Sequence, residues 1–206
     1  MLLRRSAIVL LIPALGVVAP RPATGQLAVE VAAGVRYSTV LVRDSIVTPF
    51  AVRPAVAPTL AITLATPLGG NWGAHVTLDF STSEIRRHDA DGSSAALGRV
   101  STAALTVGLE RQLAARFSAR VGVGGLTYIP SEKIGIFRLG GGSIAGLGAL
   151  AIGHALPVST RFGFVVEARY DVHGFSTPAL RDEGFTSART MHRVALTVRA
   201  RGLRTR

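Results

Sequence analysis

Three side chains near the end of the chain are of the types that carry out acyl transfer: Asp171, His173 and Ser176. An acid, a base and a hydroxyl are the groups that activate a serine nucleophile. Asp171 and His173 are two residues apart, so they share one face of a strand, whereas Ser176 falls out of step with them. This spacing favours a polar rim over a catalytic triad.

Other patterns that could carry chemistry are weaker. The five histidines (His75, His88, His154, His173 and His192) follow no spacing that would hold a metal. The stretch LGGGS (139–143) lacks the lysine and the helix of a phosphate-binding loop. The formal charge is +11, but no basic patch is interleaved with base-stacking aromatic residues. We therefore predict no metal, no cofactor and no nucleic-acid partner.

Charged residues recur at alternate positions of apolar segments, which places them on strands. In LAVEVAAGVRYST (27–39), residues such as Val31 and Val35 alternate with small or charged residues, including Glu30 and Arg36. A period of two indicates a β-strand with one apolar and one polar face. The same alternation is found in 56–65, 72–81, 103–110, 117–124, 143–157, 162–171 and 192–199. The pattern predicts eight strands.

The sixth of these segments, SIAGLGALAIGHALP (143–157), alternates less cleanly, and a buried helix is the alternative there. Gly146, Gly148 and Gly153 disfavour a helix, because glycine is a poor helix former. We predict a strand, which keeps the number of strands even.

The connections between these strands alternate in length. Those at 67–71, 113–116 and 157–161 are short, whereas those at 40–54, 86–99, 130–142 and 174–189 are long and polar. Transmembrane barrels have short turns at the periplasmic end and longer loops at the outer end. The sequence thus predicts an all-β fold, an eight-stranded antiparallel up-and-down transmembrane β-barrel.

The N-terminus has the features of a secretory signal peptide. Arg4 and Arg5 precede an apolar run, and small residues follow it, including Ala23 and Gly25. We predict a cleaved signal peptide at 1–25 and a barrel domain at 26–206, with an N-terminal membrane anchor as the alternative. Hydrophobic residues make up 48% of the chain, and its mean hydropathy of +0.39 is high for a soluble protein.

The signal peptide, the amphipathic strands, the alternating connections and FGFVVEARYDV (162–172) resemble the small outer-membrane β-barrel proteins, the OmpA-like and OmpX-like group. The local motif is Glu167-Ala-Arg-Tyr170, with acid and base pointing inward in the penultimate strand. The resemblance implies a location in the outer membrane of a Gram-negative-type bacterium and insertion by the barrel-assembly machinery. Such barrels usually end on an aromatic residue, whereas this chain ends on Arg206, with Leu203 as the candidate substitute.

The polar faces of the predicted strands carry charged residues that would meet inside the barrel. The predicted lumen charge network is Glu30, Arg36, Asp79, Glu110, Arg120, Glu167, Arg169, Asp171, Arg193 and Arg199. An eight-stranded barrel is just wide enough for side chains to fill, so these charges must pair across it. We interpret them as a salt-bridged interior, with a gated pore as the alternative.

Arginines in the proposed outer loops are candidates for contacts with lipid phosphates and lipopolysaccharide, above all Arg86, Arg87 and Arg138. The predicted function is a structural or adhesive outer-membrane protein that is not an enzyme and that uses its loops to contact an external partner of unknown identity. The alternatives are a narrow pore, a lipid-modifying enzyme, and a soluble lipocalin-like barrel whose apolar parity faces inward.

Overall fold

The structure, a computed structural model, describes residues 27–44, 50–156, 162–185 and 187–202. Within these ranges the strands are β1 (Ala28–Ser38), β2 (Val42–Asp44), β3 (Phe50–Pro54), β4 (Ala57–Gly69), β5 (Trp72–Asp89), β6 (Ser94–Gln112), β7 (Phe117–Pro130), β8 (Ala145–Leu156), β9 (Phe162–Phe175) and β10 (Arg189–Gly202). A 3-10 turn (Gly135–Phe137) and helix α1 (Pro178–Asp182) lie in two connections. The predicted signal peptide, the predicted turn at 157–161 and residues 203–206 lie outside the described residues. No helix in the described part is long and apolar enough to cross a membrane.

Eight strands form a closed antiparallel barrel, since β1 pairs with both β4 and β10 and the remaining neighbours pair in chain order. Each residue of a path around the barrel pairs with a residue of the next strand. The path starts on β1 and passes through Ser38, Arg193, Asp171, Ala149, Gly122, Gly108, His75, Ala65 and Ala28. It ends on β1 again, but at Ala28, which is nearer the start of the strand than Ser38. A displacement of about ten residues over eight strands tilts the strands by roughly 40°. The predicted eight-stranded up-and-down barrel is confirmed.

The two ends of the barrel differ. At one end, which we call the turn end, β4 joins β5 and β6 joins β7 through tight connections. At the other, the loop end, lie β2, β3, the 3-10 turn and α1. The turn end therefore has the predicted short connections at 67–71 and 113–116, and the loop end has long connections between β7 and β8 and between β9 and β10.

The connection at 86–99 corrects the sequence prediction, because most of it is strand and not loop. β5 runs to Asp89 and β6 begins at Ser94, so this hairpin continues beyond the barrel. β3 pairs with the projecting part of β5, and β2 pairs with β3. These pairings satisfy backbone groups that an isolated hairpin edge would leave open. Ala145–Leu156 form β8, so the helix alternative for this part of the segment 143–157 is wrong.

The apolar parity of the strands faces outward. Val31 and Val35 on β1 are 51% and 52% exposed, whereas Glu30 and Arg36 beside them are 1% and 2% exposed. Leu196 on β10 is likewise 55% exposed. A soluble lipocalin-like barrel would have the opposite arrangement, so that alternative is wrong. The exterior has the apolar surface of a barrel that is solvated by lipid.

Two inward-facing glycines mark places where neighbouring strands approach too closely for a side chain. A Cβ at Gly34 would lie 2.0 Å from the carbonyl oxygen of Leu196, and a Cβ at Gly124 would lie 1.9 Å from that of Leu105. Both distances are far below van der Waals contact. Only glycine fits here, since a small barrel must bend its strands sharply.

Candidate functional site

Residues that point into the lumen bring charged side chains together in the half of the barrel nearer the turn end. Arg120 Nη2 lies 2.7 Å from Glu30 Oε2 and 2.8 Å from Glu110 Oε2. Arg199 donates a hydrogen bond to the same Glu30 oxygen and lies 3.4 Å from Glu167 Oε2. The Glu30 carboxylate is therefore shared by two guanidinium groups that come from different strands.

A second group of charges lies nearer the loop end. Arg36 on β1 donates two hydrogen bonds to the Asp79 carboxylate on β5, with Nη2 2.6 Å from Oδ2. Arg193 Nη2 is 3.6 Å from Asp79 Oδ1. Arg169 Nε is 2.7 Å from Asp171 Oδ1, and Arg36 Nη2 is 3.8 Å from Asp171 Oδ2. This group also spans the lumen from strand to strand.

These ten residues, which are the predicted lumen network, are called the charge layer below. They comprise five carboxylates and five guanidinium groups, so their formal charges cancel. Burying an ion is costly unless a partner of opposite charge compensates it, and pairing across the lumen provides that compensation. The cavity among them has a volume of about 30 Å³, which is enough for roughly two water molecules. The charge layer therefore fills the barrel at this level.

Above the charge layer, at the loop end, the interior is apolar. Buried side chains from the barrel wall and from the loops pack there into one cluster, which we call the apolar plug: Leu41, Val52, Ile85, Val100, Ala104, Leu126, Tyr128, Phe137, Leu147, Phe175, Leu180 and Met191. The inward row of β9 shows the transition, since Asp171 is followed by His173 and then by Phe175. The interior thus consists of two layers of opposite chemistry.

Tyr128 and His173 join the two layers. The Tyr128 hydroxyl lies 2.8 Å from His173 Nε2, so these two atoms form a hydrogen bond at the edge of the apolar plug. The Tyr128 ring packs edge-on against Phe175, with ring centroids 5.0 Å apart. Phe137, from the 3-10 turn, packs against the same Phe175 ring at 6.1 Å. An aromatic cluster therefore fixes a loop to the barrel wall.

The Asp171, His173 and Ser176 group does not form a triad. Asp171 pairs with arginines of the charge layer, and His173 Nε2 contacts Tyr128. The buried Ser176 Oγ has no hydrogen-bond partner in the described part of the chain. The group therefore lacks the hydrogen bond between nucleophile and base that acyl transfer requires.

Two loops at the loop end are fastened to each other. Thr177 caps α1 by accepting a hydrogen bond from the Leu180 N–H at 3.2 Å, and its hydroxyl donates to the Ile136 carbonyl at 2.6 Å. Arg138 pairs with Glu183 and, at 3.0 Å, with Asp182. These hydrogen bonds to Glu183 and Asp182 raise the pKa of the Arg138 guanidinium. These contacts join the segment 135–138 to the segment 177–183, and we call the two segments together the lid.

The three arginines proposed for lipid phosphates all have acidic partners. Arg86 Nη2 is 2.7 Å from Glu84 Oε2, and its side chain is 50% exposed. Arg87 Nε is 2.7 Å from Asp89 Oδ1, and its guanidinium lies over the Phe50 ring at 4.6 Å. Arg86 and Arg87 lie on the projecting part of β5, whereas Arg138 lies in the lid. The structure therefore does not bring the three into one patch.

The apolar plug is the part of the interior that sequence reasoning missed. Leu126 and Tyr128 continue the inward parity of β7 beyond 124, the last residue of the alternation noted in the sequence, and Phe175 continues that of β9 beyond His173. The feature of the sequence that indicates the apolar plug is a change from charged to apolar residues along the inward-facing positions of each strand. Following the period of two to the end of each strand, and one residue pair into the predicted loop at 174–189, would have found these wall residues.

No known family model and no curated protein matches the chain. Among solved structures, Neisserial surface protein A (NspA) superposes with a TM-score of 0.52 at 10% sequence identity, over 86% of this chain and 97% of its own. The chain has the fold of the small eight-stranded outer-membrane barrels. The resemblance predicted from the sequence is thereby confirmed for the fold.

Two further structures are similar. The outer-membrane protein Ail of Yersinia pestis in a nanodisc has a TM-score of 0.45 and 16% identity, over 85% of this chain and 99% of its own. OprG of Pseudomonas aeruginosa has a TM-score of 0.45 and 10% identity, over 85% of this chain and 93% of its own.

Proposed function

We propose that this chain is an outer-membrane barrel with a structural or adhesive role, which contacts its surroundings through the loop end and has a sealed lumen. The apolar exterior and the fold shared with NspA support the location. Fractionation of cells, with gels of unheated and boiled samples, tests it. Recovery as a soluble periplasmic protein would contradict the proposal.

The observation that carries the proposed sealing is the stacking of the apolar plug on the charge layer. An ion crossing the barrel would have to displace buried ion pairs and then pass a dry hydrocarbon layer, where hydration is lost. We therefore expect no discrete conductance steps in planar bilayers, with an open porin as the positive control. Regular steps that persist in purified protein would support the narrow-pore alternative instead.

We propose that the barrel is not an enzyme, because the only acid, base and hydroxyl group singled out in the sequence is not assembled in the described residues. Incubating the reconstituted protein with phospholipid and with lipid A tests this. Hydrolysis that is lost in His173→Ala would overturn the proposal. Tyr128→Phe provides the matched control, because it removes the hydroxyl that contacts His173 and leaves the imidazole in place.

We propose that the projecting hairpin contacts lipopolysaccharide phosphates through Arg86. Its guanidinium has five N–H donors and uses two of them on Glu84, so donors remain for a phosphate. Arg86→Ala should weaken binding to lipopolysaccharide, and Glu84→Gln should strengthen it by releasing the competing carboxylate. Equal binding by both variants and the unaltered protein would exclude this contact.

Arg87 and Arg138 are weaker candidates for the same role, since Arg87 is occupied by Asp89 and the Phe50 ring, and Arg138 by two acids of the lid.

We also propose export by the 1–25 signal peptide and insertion by the barrel-assembly machinery. The mass of protein recovered from outer membranes should correspond to a chain that begins at Gln26. Depletion of the assembly machinery should reduce the amount that is inserted.

A further inference from the structure

A cavity opens at the loop end between β2, the end of β9, α1 and the start of β10. Its volume is about 320 Å³, within the range of small-molecule sites in proteins. Phe175 and Leu180, which belong to the apolar plug, form part of its lining together with the exposed Phe185. The cavity therefore has an apolar lining that continues the apolar plug and includes one exposed ring, Phe185.

Two cations line the same cavity, Arg43 of β2 and Arg189 of β10. Neither forms an ion pair within the described part of the chain, in contrast to Arg86, Arg87 and Arg138. Ser176 also lines the cavity, and its buried Oγ has no hydrogen-bond partner among the described residues. The polar part of the cavity is thus rich in hydrogen-bond donors.

We propose that this cavity binds a free single-chain anionic amphiphile of the fatty-acid type. Arg43 and Arg189 would hold the carboxylate, because guanidinium groups form strong charge-assisted hydrogen bonds with it. Phe175, Leu180 and Phe185 would cover the alkyl chain. An inorganic anion would leave this apolar surface uncovered, and a neutral hydrocarbon would leave the two cations uncompensated, so the ligand needs both parts.

The cavity is lined by residues of the loop end, which lies beyond the apolar exterior of the barrel strands, and a free amphiphile is therefore the ligand that we propose. The proposal goes beyond the function proposed above. A barrel that binds no amphiphile would still be sealed, and the fractionation and conductance experiments test that property separately.

The test uses the full mature protein in phosphatidylcholine nanodiscs and an octanoate analogue with a diazirine at the end of its chain. After irradiation, the labelled peptides are identified by mass spectrometry. We expect labelling at Phe175, Leu180 and Phe185, and we expect unlabelled octanoate, but not octanol, to compete. Labelling confined to lipid-facing residues such as Val194 and Leu196, or equal competition by octanol, would overturn the proposal.

The variant Arg43→Ala/Arg189→Ala should reduce specific labelling by about tenfold or more, because it removes both charge-assisted contacts. Arg43→Lys/Arg189→Lys should restore part of it, since the positive charge is retained. Arg181→Ala is the matched control, because this arginine lies on α1 but does not line the cavity. All variants are compared after gels of unheated samples show a folded barrel. Unchanged labelling in the double alanine variant would overturn the proposal.

Discussion

The charge layer and the apolar plug occupy the same barrel, yet they are built in different ways. Every member of the charge layer comes from a barrel strand, and each is positioned by the period of two along that strand. The apolar plug also uses wall residues such as Leu126, but it is completed by Leu41, Phe137 and Leu180, which lie outside the barrel strands. One layer depends on strand register, and the other depends on how the loops return into the barrel.

The two layers should therefore respond differently to substitution. A change in the charge layer leaves buried charges without partners and should affect the whole barrel. A change in the loop part of the apolar plug leaves a cavity that loops can partly close, so its effect should be smaller and confined to the loop end. Four substitutions examine this difference, in order of decreasing expected effect.

Glu30→Gln should have the largest effect. It removes the carboxylate shared by Arg120 and Arg199, and leaving buried charges uncompensated costs about 3–5 kcal/mol. Reversible urea unfolding in lipid vesicles, followed by Trp72 fluorescence, measures this loss. Glu84→Gln removes an exposed ion pair with Arg86 and should cost less than about 1 kcal/mol. If the two variants lost equal free energy of unfolding, the buried ion pairs of the charge layer would contribute no more to stability than an exposed pair.

Phe137→Ala should come next. Truncating a buried phenylalanine costs about 3 kcal/mol at the lower end of measured values, because the lid can settle into the space. The same unfolding experiment measures it, and limited proteolysis should reveal faster cleavage in the lid. Phe185→Ala removes an exposed ring of the same size and should change stability by less than about 0.5 kcal/mol. A loss as large as that of Glu30→Gln, with no added cleavage, would remove the distinction between the layers.

Thr177→Val should have a moderate effect limited to the lid. It removes the cap of α1 and the hydrogen bond to Ile136, which we expect to cost about 1–2 kcal/mol. Hydrogen exchange at the Leu180 amide should accelerate, while exchange in the barrel strands stays unchanged. Thr177→Ser keeps the hydroxyl and should restore protection. Faster exchange throughout the barrel would show that the lid and the wall unfold together.

Arg138→Ala should have the smallest effect, because its pairs with Asp182 and Glu183 are exposed to solvent and screened by salt. We expect a slight fall in the urea midpoint at low salt that disappears at high salt. Arg181→Ala is the control, since no ion pair joins this residue to another in the described part of the chain. A fall that persists at high salt would point to lost packing and not to lost charge.

Much of the barrel was predictable because strands leave a simple trace in the sequence. The alternation around Glu30 and Arg36 predicted both the face that meets lipid and the charges that meet inside. The loop end was less predictable. Residues 86–99 are polar and contain glycine, which is typical of a loop, yet Arg86 and Arg87 are strand residues, because β3 pairs along that edge.

The partners of individual charges were also beyond the sequence. Parity predicted that Arg36 points inward, but the pairing with Asp79, 43 residues away, depends on the stagger of the closed sheet. The same holds for Asp171, whose spacing with His173 suggested chemistry until the closed sheet placed Arg36 of another strand within 3.8 Å of it.

The sequence by itself determined the number of barrel strands and their two faces, because side-chain direction in a strand depends only on parity. The tertiary structure alone decided which charges pair, that an apolar plug covers them, and that two arginines with no acidic partner among the described residues line a cavity at the loop end. These features depend on contacts between segments far apart in the chain. Such contacts follow from barrel closure and loop packing, which leave no local period in the sequence.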